Sequence, residues 1–146
     1  MADKAHYRKL EAMYAKAPIN SWFAPQLTVG EGCAELRLPL RDEFHHTAGA
    51  VHGTVYFKAL DDATFFAANS LVHDRFVLTA QFEIELLAPV VCGTLVARAQ
   101  VTGDDAHRII AQGELFDGEG RLIARGLGRF ARSDLPLDEA VGYGGA

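Results

Sequence analysis

Basic residues are too scarce in this chain to build a nucleic-acid face. Lys and Arg number 14 against 19 Asp and Glu, for a net charge of -5. A protein that neutralises phosphates along a strand concentrates cations on one surface, so no nucleic-acid partner is expected. A small anionic ligand held by a local basic patch stays compatible with this charge. Cysteine is also scarce. Cys33 and Cys92 are far apart and fit no metal-ligand spacing. They are expected as free thiols in a reducing compartment, packed as small apolar residues. No apolar run approaches the roughly 18 residues that suggest a membrane span, so no membrane partner is expected. Met1 to Lys16 is charged throughout and lacks a signal-peptide core, which makes the cytoplasm the expected location.

The length of 146 residues, with 49% hydrophobic and 23% charged residues, suits one globular domain with a real core. Tyr7, Leu10, Met13 and Tyr14 recur at helical spacing and predict a helix over residues 3–16, with Asp3 as its N-cap. Short strands are expected over 26–29 and 33–40. A loop from Arg41 to Val51 carries His45, His46 and Gly49. Phe76 to Leu86 alternates apolar and polar residues with period two, the cleanest strand signal in the chain. Further strands are expected over 94–102, 108–116 and 121–131, joined by turns at Gly103-Asp104-Asp105 and Asp117-Gly118-Glu119-Gly120. The tail after Ser133 is polar and glycine-rich and is expected to be loosely held. The whole order is that of an α+β domain, one buried helix against a curled antiparallel sheet.

That helix, residues 52–72, is apolar nearly all round, which predicts burial. Yet Asp61 and Asp62 sit in its middle, one turn after Lys58. An ionised carboxylate in a core costs several kcal/mol unless it is paired or changes its proton affinity. Lys58 and Asp62 are four residues apart and can pair on one face. Asp61 is left over and is a candidate for chemistry.

His52-Gly53, Asp61 nine residues after that His, Gly49 three before it, Leu78-Thr79-Ala80-Gln81-Phe82, Ala88-Pro89 and Gly93 recur in order. This arrangement resembles the PaaI-like acyl-CoA thioesterases of the hotdog fold, across about residues 18–131. The resemblance implies a long central helix wrapped by an antiparallel sheet, with the N-terminal helix as an addition. It implies hydrolysis of an acyl-CoA thioester with no cofactor and no metal, in a homodimer or dimer of dimers. It aligns Asp61 with the catalytic carboxylate, as general base or nucleophile, and Thr79 with a hydroxyl near the reacting group. Thr54 replaces a second glycine after His52-Gly53, and His46 stands where the family pattern has Asn.

Thioester hydrolysis needs a donor for the developing oxyanion. A helix N-terminus has free N–H groups, and Gly53 lets one approach the substrate without a side chain in the way. The expected donors are the N–H groups of Gly53 and, beside it, Thr54, with His46 and His52 near the substrate. Gly53 and Asp61 are eight residues apart, about 12 Å along one helix, so they are expected to meet across a dimer rather than within one chain. On strict alternation Thr79 falls on the polar face of its strand, opposite Phe82. Phe57, Phe65, Phe66 and Trp22 are candidates to line an acyl pocket. Arg98, Arg108, Arg125 and Arg129 are candidates for the CoA phosphates. Two rivals remain open. One is a non-catalytic acyl-CoA-binding protein of the same fold. The other is a hydratase or dehydratase, disfavoured because the Phe44-His45-His46-Thr47 loop has no proline and the helix carries Asp rather than Glu.

Overall fold

A helix that is apolar on most of its circumference must be covered on most of its circumference, and a curved sheet does this here. The computed structural model describes residues 3–105 and 107–144. Three helices, α1 (Lys4–Ala15), α2 (Asn20–Phe23) and α3 (Gly53–Asn69), combine with six strands. These are β1 (Gln26–Gly30), β2 (Cys33–Pro39), β3 (Arg75–Leu86), β4 (Thr94–Asp104), β5 (Ile109–Phe116) and β6 (Leu122–Pro136). The strands form one antiparallel sheet in the order β1-β2-β4-β5-β6-β3. It wraps α3 in a hotdog fold of the α+β class, with α1 as the extra N-terminal helix. Among the described residues, no helix is long and apolar enough to cross a membrane.

Small residues set the distance between helix and sheet. Ala63 and Ala67 of α3 face Ala97 and Ala111 of the sheet in a fully buried layer. At Gly113 a Cβ would lie 3.1 Å from both Leu60 Cδ2 and Thr64 Cγ2. Any side chain there would push α3 off the sheet.

Several expectations are corrected by the packing. Helix α3 is not covered all round. The stripe Thr54, Phe57, Lys58, Asp61, Asp62 and Phe65 is exposed or only half-buried, because β3 is the last strand of the sheet and nothing lies beyond it. Strand β4 runs on through Gly103 and Asp104, past a bulge between Val101 and Gly103, so the expected turn begins only at Asp105, whose N–H bonds the Arg108 carbonyl. Cys33 and Cys92 are free but exposed, not packed inside. One begins β2 and the other lies in the loop before β4. From Ser133 to residue 144 the chain is not loose. Strand β6 continues to Pro136, a 3₁₀ turn follows at Glu139–Val141, and Leu137, Val141 and Tyr143 pack on the core.

The N-terminal elements are tied to α3 by one polar cluster. Lys58 Nζ lies 2.6 Å from Asp62 Oδ2 and donates to Asn20 Oδ1 at 2.8 Å. Tyr14 O–H donates to the same Asp62 oxygen at 2.5 Å, and Asn20 Nδ2 donates to the Tyr14 carbonyl at 2.8 Å. The Lys58 ammonium also lies over the rings of Tyr14 and Phe23. The pair expected from spacing is therefore formed, and it is nearly buried, with side-chain exposures of 11% and 16%. Removing one partner of such a pair costs about 3 kcal/mol, because the remaining charge is left uncompensated, whereas replacing both with apolar groups is close to neutral. Asp62→Ala should lower the unfolding free energy by that amount, read from the midpoint and slope of urea unfolding, and Lys58→Met with Asp62→Leu should restore most of it. An unchanged midpoint in Asp62→Ala would show that the cluster does not hold α1 and α2 in place.

Candidate active site

The strand opposite Asp61 carries a fault. Strand β3 pairs with β6 at Thr79–Phe130 and again at Gln81–Arg129, with Ala80 as an extra residue between them. Such a bulge shifts the side-chain alternation by one residue. Thr79 and Phe82 consequently face the same way, toward α3, correcting the expectation that they lie on opposite faces. Glycines at 126 and 128 leave room for the Phe82 ring, where a Cβ would sit 2.7 Å and 3.1 Å from its atoms. The helix and strand then run side by side: Gly53 lies against Leu86, Phe57 against Phe82, Asp61 against Thr79 and Phe65 against Phe76.

Thr79 Oγ1 donates to Asp61 Oδ1 at 2.9 Å. Burial lifts the Asp61 carboxyl to about 6, the Thr79 hydrogen bond offsets part of that rise, and the charge of Asp62 adds to it. Lys58 lowers it by less, being held on Asp62. Asp61 and Thr79 border a cavity of about 740 Å³ whose apolar lining includes Phe65, Phe66, Phe76 and Leu78. That volume suits a small-molecule site. Of the four aromatics suggested by sequence, Phe65 and Phe66 line it. Phe57 instead packs on Phe82, and Trp22 stacks on Phe23 and Phe44.

The second group of residues lies at the other end of the exposed stripe. His52 caps α3 with its ring: Nδ1 accepts from the Thr54 N–H at 3.1 Å and lies 2.9 Å from Thr54 Oγ1. The Val55 N–H bonds the His52 carbonyl at 3.0 Å. The Thr54 N–H, expected beside that of Gly53 as an oxyanion donor, thus bonds the His52 ring. Among the described residues, no group accepts from the Gly53 N–H. His46 is fixed in a tight turn, its Nδ1 accepting from the Ala48 N–H at 3.0 Å. The left-handed Gly49 at φ +85° closes that turn. The His46 and His52 rings lie 6.5 Å apart. His46 and Gly53 border a separate cavity of about 340 Å³, with Leu86 and Pro89 on its wall. Asp61 with Thr79 and Gly53 with His46 and His52 thus form two separate groups, on different cavities of the chain.

The candidate arginines are already engaged. Arg98 pairs with Glu35 at 3.0 Å, Arg125 with Glu85 at 2.7 Å and Arg129 with Glu83 at 3.2 Å, while Arg108 donates to the His107 carbonyl. Among the described residues, no group of three His, Cys, Asp or Glu side chains is placed to hold a metal ion. Sequence reasoning missed Tyr14, which donates to Asp62, Asn20, which accepts from Lys58, and the C-terminal residues on the large cavity. These contacts span the ends of the chain and have no local signal.

Comparison with known proteins bears on the family and the fold. Residues 48–124 match the family model of the thioesterase superfamily. A Saccharolobus solfataricus protein named "Putative esterase" is 26% identical over 98 residues, 67% of this chain and 65% of that protein's length. The chain therefore spans just under two thirds of that curated relative. Among solved structures, the Escherichia coli PaaI protein from the phenylacetic acid degradation operon superposes with a TM-score of 0.83 at 21% identity, covering 91% of this chain and 96% of that one. A thioesterase family protein from Silicibacter pomeroyi gives 0.82 at 24% identity, covering 87% and 97%.

The raised proton affinity of Asp61 has a signature in stability. Its carboxyl titrates near 6 in the folded chain against a reference of 3.8. Between these values the folded state holds more protons, so stability falls as pH rises through that window. Above it, the ionised group costs about 3 kcal/mol. Asp61→Asn, neutral throughout, should exceed the wild type in stability at about pH 7.5, and the gain should vanish toward about pH 4. Urea unfolding at the two pH values measures this, and equal stabilities at both would refute the buried, unpaired carboxylate.

Proposed function

Since the chain belongs to the thioesterase superfamily, we propose that it hydrolyses an acyl-CoA thioester to the free acid and coenzyme A, with Asp61 as the general base. The observation that carries this reading is a carboxylate with its proton affinity moved to about 6, held by a hydroxyl at the edge of an apolar cavity. A base poised near the working pH is the efficient one. In the proposed step, Asp61 takes a proton from water as the water oxygen bonds to the thioester carbon. The oxyanion that forms is met by the free Gly53 N–H at the positive end of α3. When the carbon–sulfur bond breaks, the proton on Asp61 passes to the departing CoA sulfur. Thr79 orients the carboxylate, and His46 and His52 flank the donor end. His52 acts through the cap that fixes which amide stays free.

Asp61 and Gly53 lie about 12 Å apart along α3 and open into different cavities. The reading therefore includes a homodimer in which Gly53 of one copy faces Asp61 of the other. The unpaired edge of β3 and the exposed Phe57, Leu78, Ile84 and Leu86 support it, since apolar edge strands are usually covered.

Two measurements test this. With acyl-CoA and a thiol-release assay, kcat/KM should rise with pH through an apparent pKa near 6 as Asp61 ionises. Asp61→Asn should lower kcat by about 10²–10⁴. Binding without thiol release in the wild type would favour an acyl-CoA-binding protein instead. The shared site is tested with Gly53→Pro, which deletes the amide hydrogen at a position where proline suits a helix start and follows an extended residue, His52 at ψ 143°. Each single variant should be nearly inactive. Mixed dimers of Gly53→Pro and Asp61→Asn should recover about half the wild-type rate per dimer, because pairing across chains leaves one of two sites intact. No recovery would place each site within one chain.

A further inference from the structure

The large cavity has a wall that residues 48–124 do not supply. Part of it is the corner between α1 and α2, residues 16–19, and part is the C-terminal chain, with Leu135 and residues 139–142. This C-terminal strap is pinned rather than draped. Tyr143 O–H donates to His6 Nδ1 at 2.7 Å. His6 is itself buried, and its Nε2–H donates to the carbonyl of Asn69 at the end of α3, at 2.9 Å. That second bond fixes the ring tautomer that leaves Nδ1 as the acceptor, and burial lowers the pKa of the imidazole. Lys16 Nζ donates to the Gly142 carbonyl at 3.2 Å, and the Lys9 ammonium lies 5.5 Å from the centre of the Tyr143 ring. At Gly142, with φ +87°, a Cβ would lie 3.3 Å from Lys16 Cδ and 3.6 Å from Met13 Cα. The strap is thus seated on α1 and anchored through His6 to α3, the helix that carries Asp61.

We propose that this strap is the specificity-determining wall of the acyl site. The acyl group lies along Phe65, Phe66 and Phe76 with its thioester at Asp61, and its far end meets Ala140 and Val141, so the strap sets the longest apolar chain the cavity admits. The proposal rests on the thioesterase reading of this cavity. It adds residues that lie outside the matched family segment.

The test is a series of non-hydrolysable acyl-CoA thioethers of increasing chain length, measured by calorimetry on the full-length protein, beside kcat/KM for the matching thioesters. Ala140→Phe adds bulk to the wall. It should weaken the longest chain the wild type accepts by about tenfold or more, as loss of room for a methylene or two does in apolar pockets, and leave the shortest chain unchanged. Tyr143→Phe removes the hydroxyl that pins the strap. It should raise the affinity of the next longer chains severalfold, flattening the length dependence. Equal changes at all lengths in both variants, no change in either, or no binding of any thioether would overturn the proposal. Thioether binding needs no turnover, so a wild type that binds the series without hydrolysing the thioesters overturns the enzymatic reading while the length profile still decides the role of the strap.

Discussion

The Lys58–Asp62 ion pair, closed at 2.6 Å across one turn of α3, decides what its neighbour Asp61 can be. Taking two charges out of water is expensive, and the attraction between them repays this only when the remaining hydrogen-bonding groups are satisfied. Tyr14 and Asn20 complete that requirement, and in doing so lock α1 and α2 against the central helix. The same arrangement commits the Lys58 ammonium to one carboxylate. Asp61, one residue on, has a neutral hydroxyl as its partner, which offsets less of the burial than a cation would. Burial therefore dominates and holds the Asp61 carboxyl above the usual range, while the nearby ammonium is bonded to its neighbour.

The sheet depends on the same neighbourhood. Strict alternation from the buried Val77 puts Thr79 on the face toward α3 and would turn Phe82 away from it. The bulge at Ala80 brings Phe82 back to the face that Thr79 occupies, and the glycines of β6 make space for its ring. Alternation in the sequence announced a strand over 76–86 correctly, and helical spacing announced α1 and α3. These are local patterns, and local patterns survive into the structure. That Thr79 and Phe82 share a face was not legible because nothing in Leu78-Thr79-Ala80-Gln81 marks which residue the partner strand skips. That choice is made by the register of β6. Coverage of α3 was not legible for a related reason. Its apolar residues say that it is buried, but the open stripe follows from the position of β3 at the end of the sheet.

The site was legible where a spacing carried it. The four-residue interval gave the Lys58–Asp62 pair, and the eight-residue interval puts Gly53 and Asp61 at different cavities. What sequence could not supply were the contacts joining distant parts of the chain: Tyr14 on Asp62, and Tyr143 on His6. The second of these turns a tail whose composition suggests looseness into a wall of the cavity. Glycine and polar content describe what a segment can do unaided. Here a single buried histidine, bonded on both ring nitrogens, overrides that tendency.

The two sets of residues share a logic. Each contains adjacent groups of the same kind, one satisfied and one left free. At the start of α3, the Thr54 N–H is taken by the His52 ring and the Val55 N–H by the His52 carbonyl, which leaves Gly53 as the amide still able to donate. At the middle of α3, Asp62 is taken by Lys58 and Tyr14, which leaves Asp61 as the carboxylate still able to accept a proton. A free donor or a free carboxylate on an otherwise apolar helix is a cost to folding. Satisfying the neighbour limits that cost to one group at each end and fixes that group in place. In the proposed mechanism the caps and pairs of α3 then matter to the chemistry: they satisfy the neighbouring amides and the neighbouring acid, and leave the Gly53 N–H and the Asp61 carboxylate for the step assigned to them.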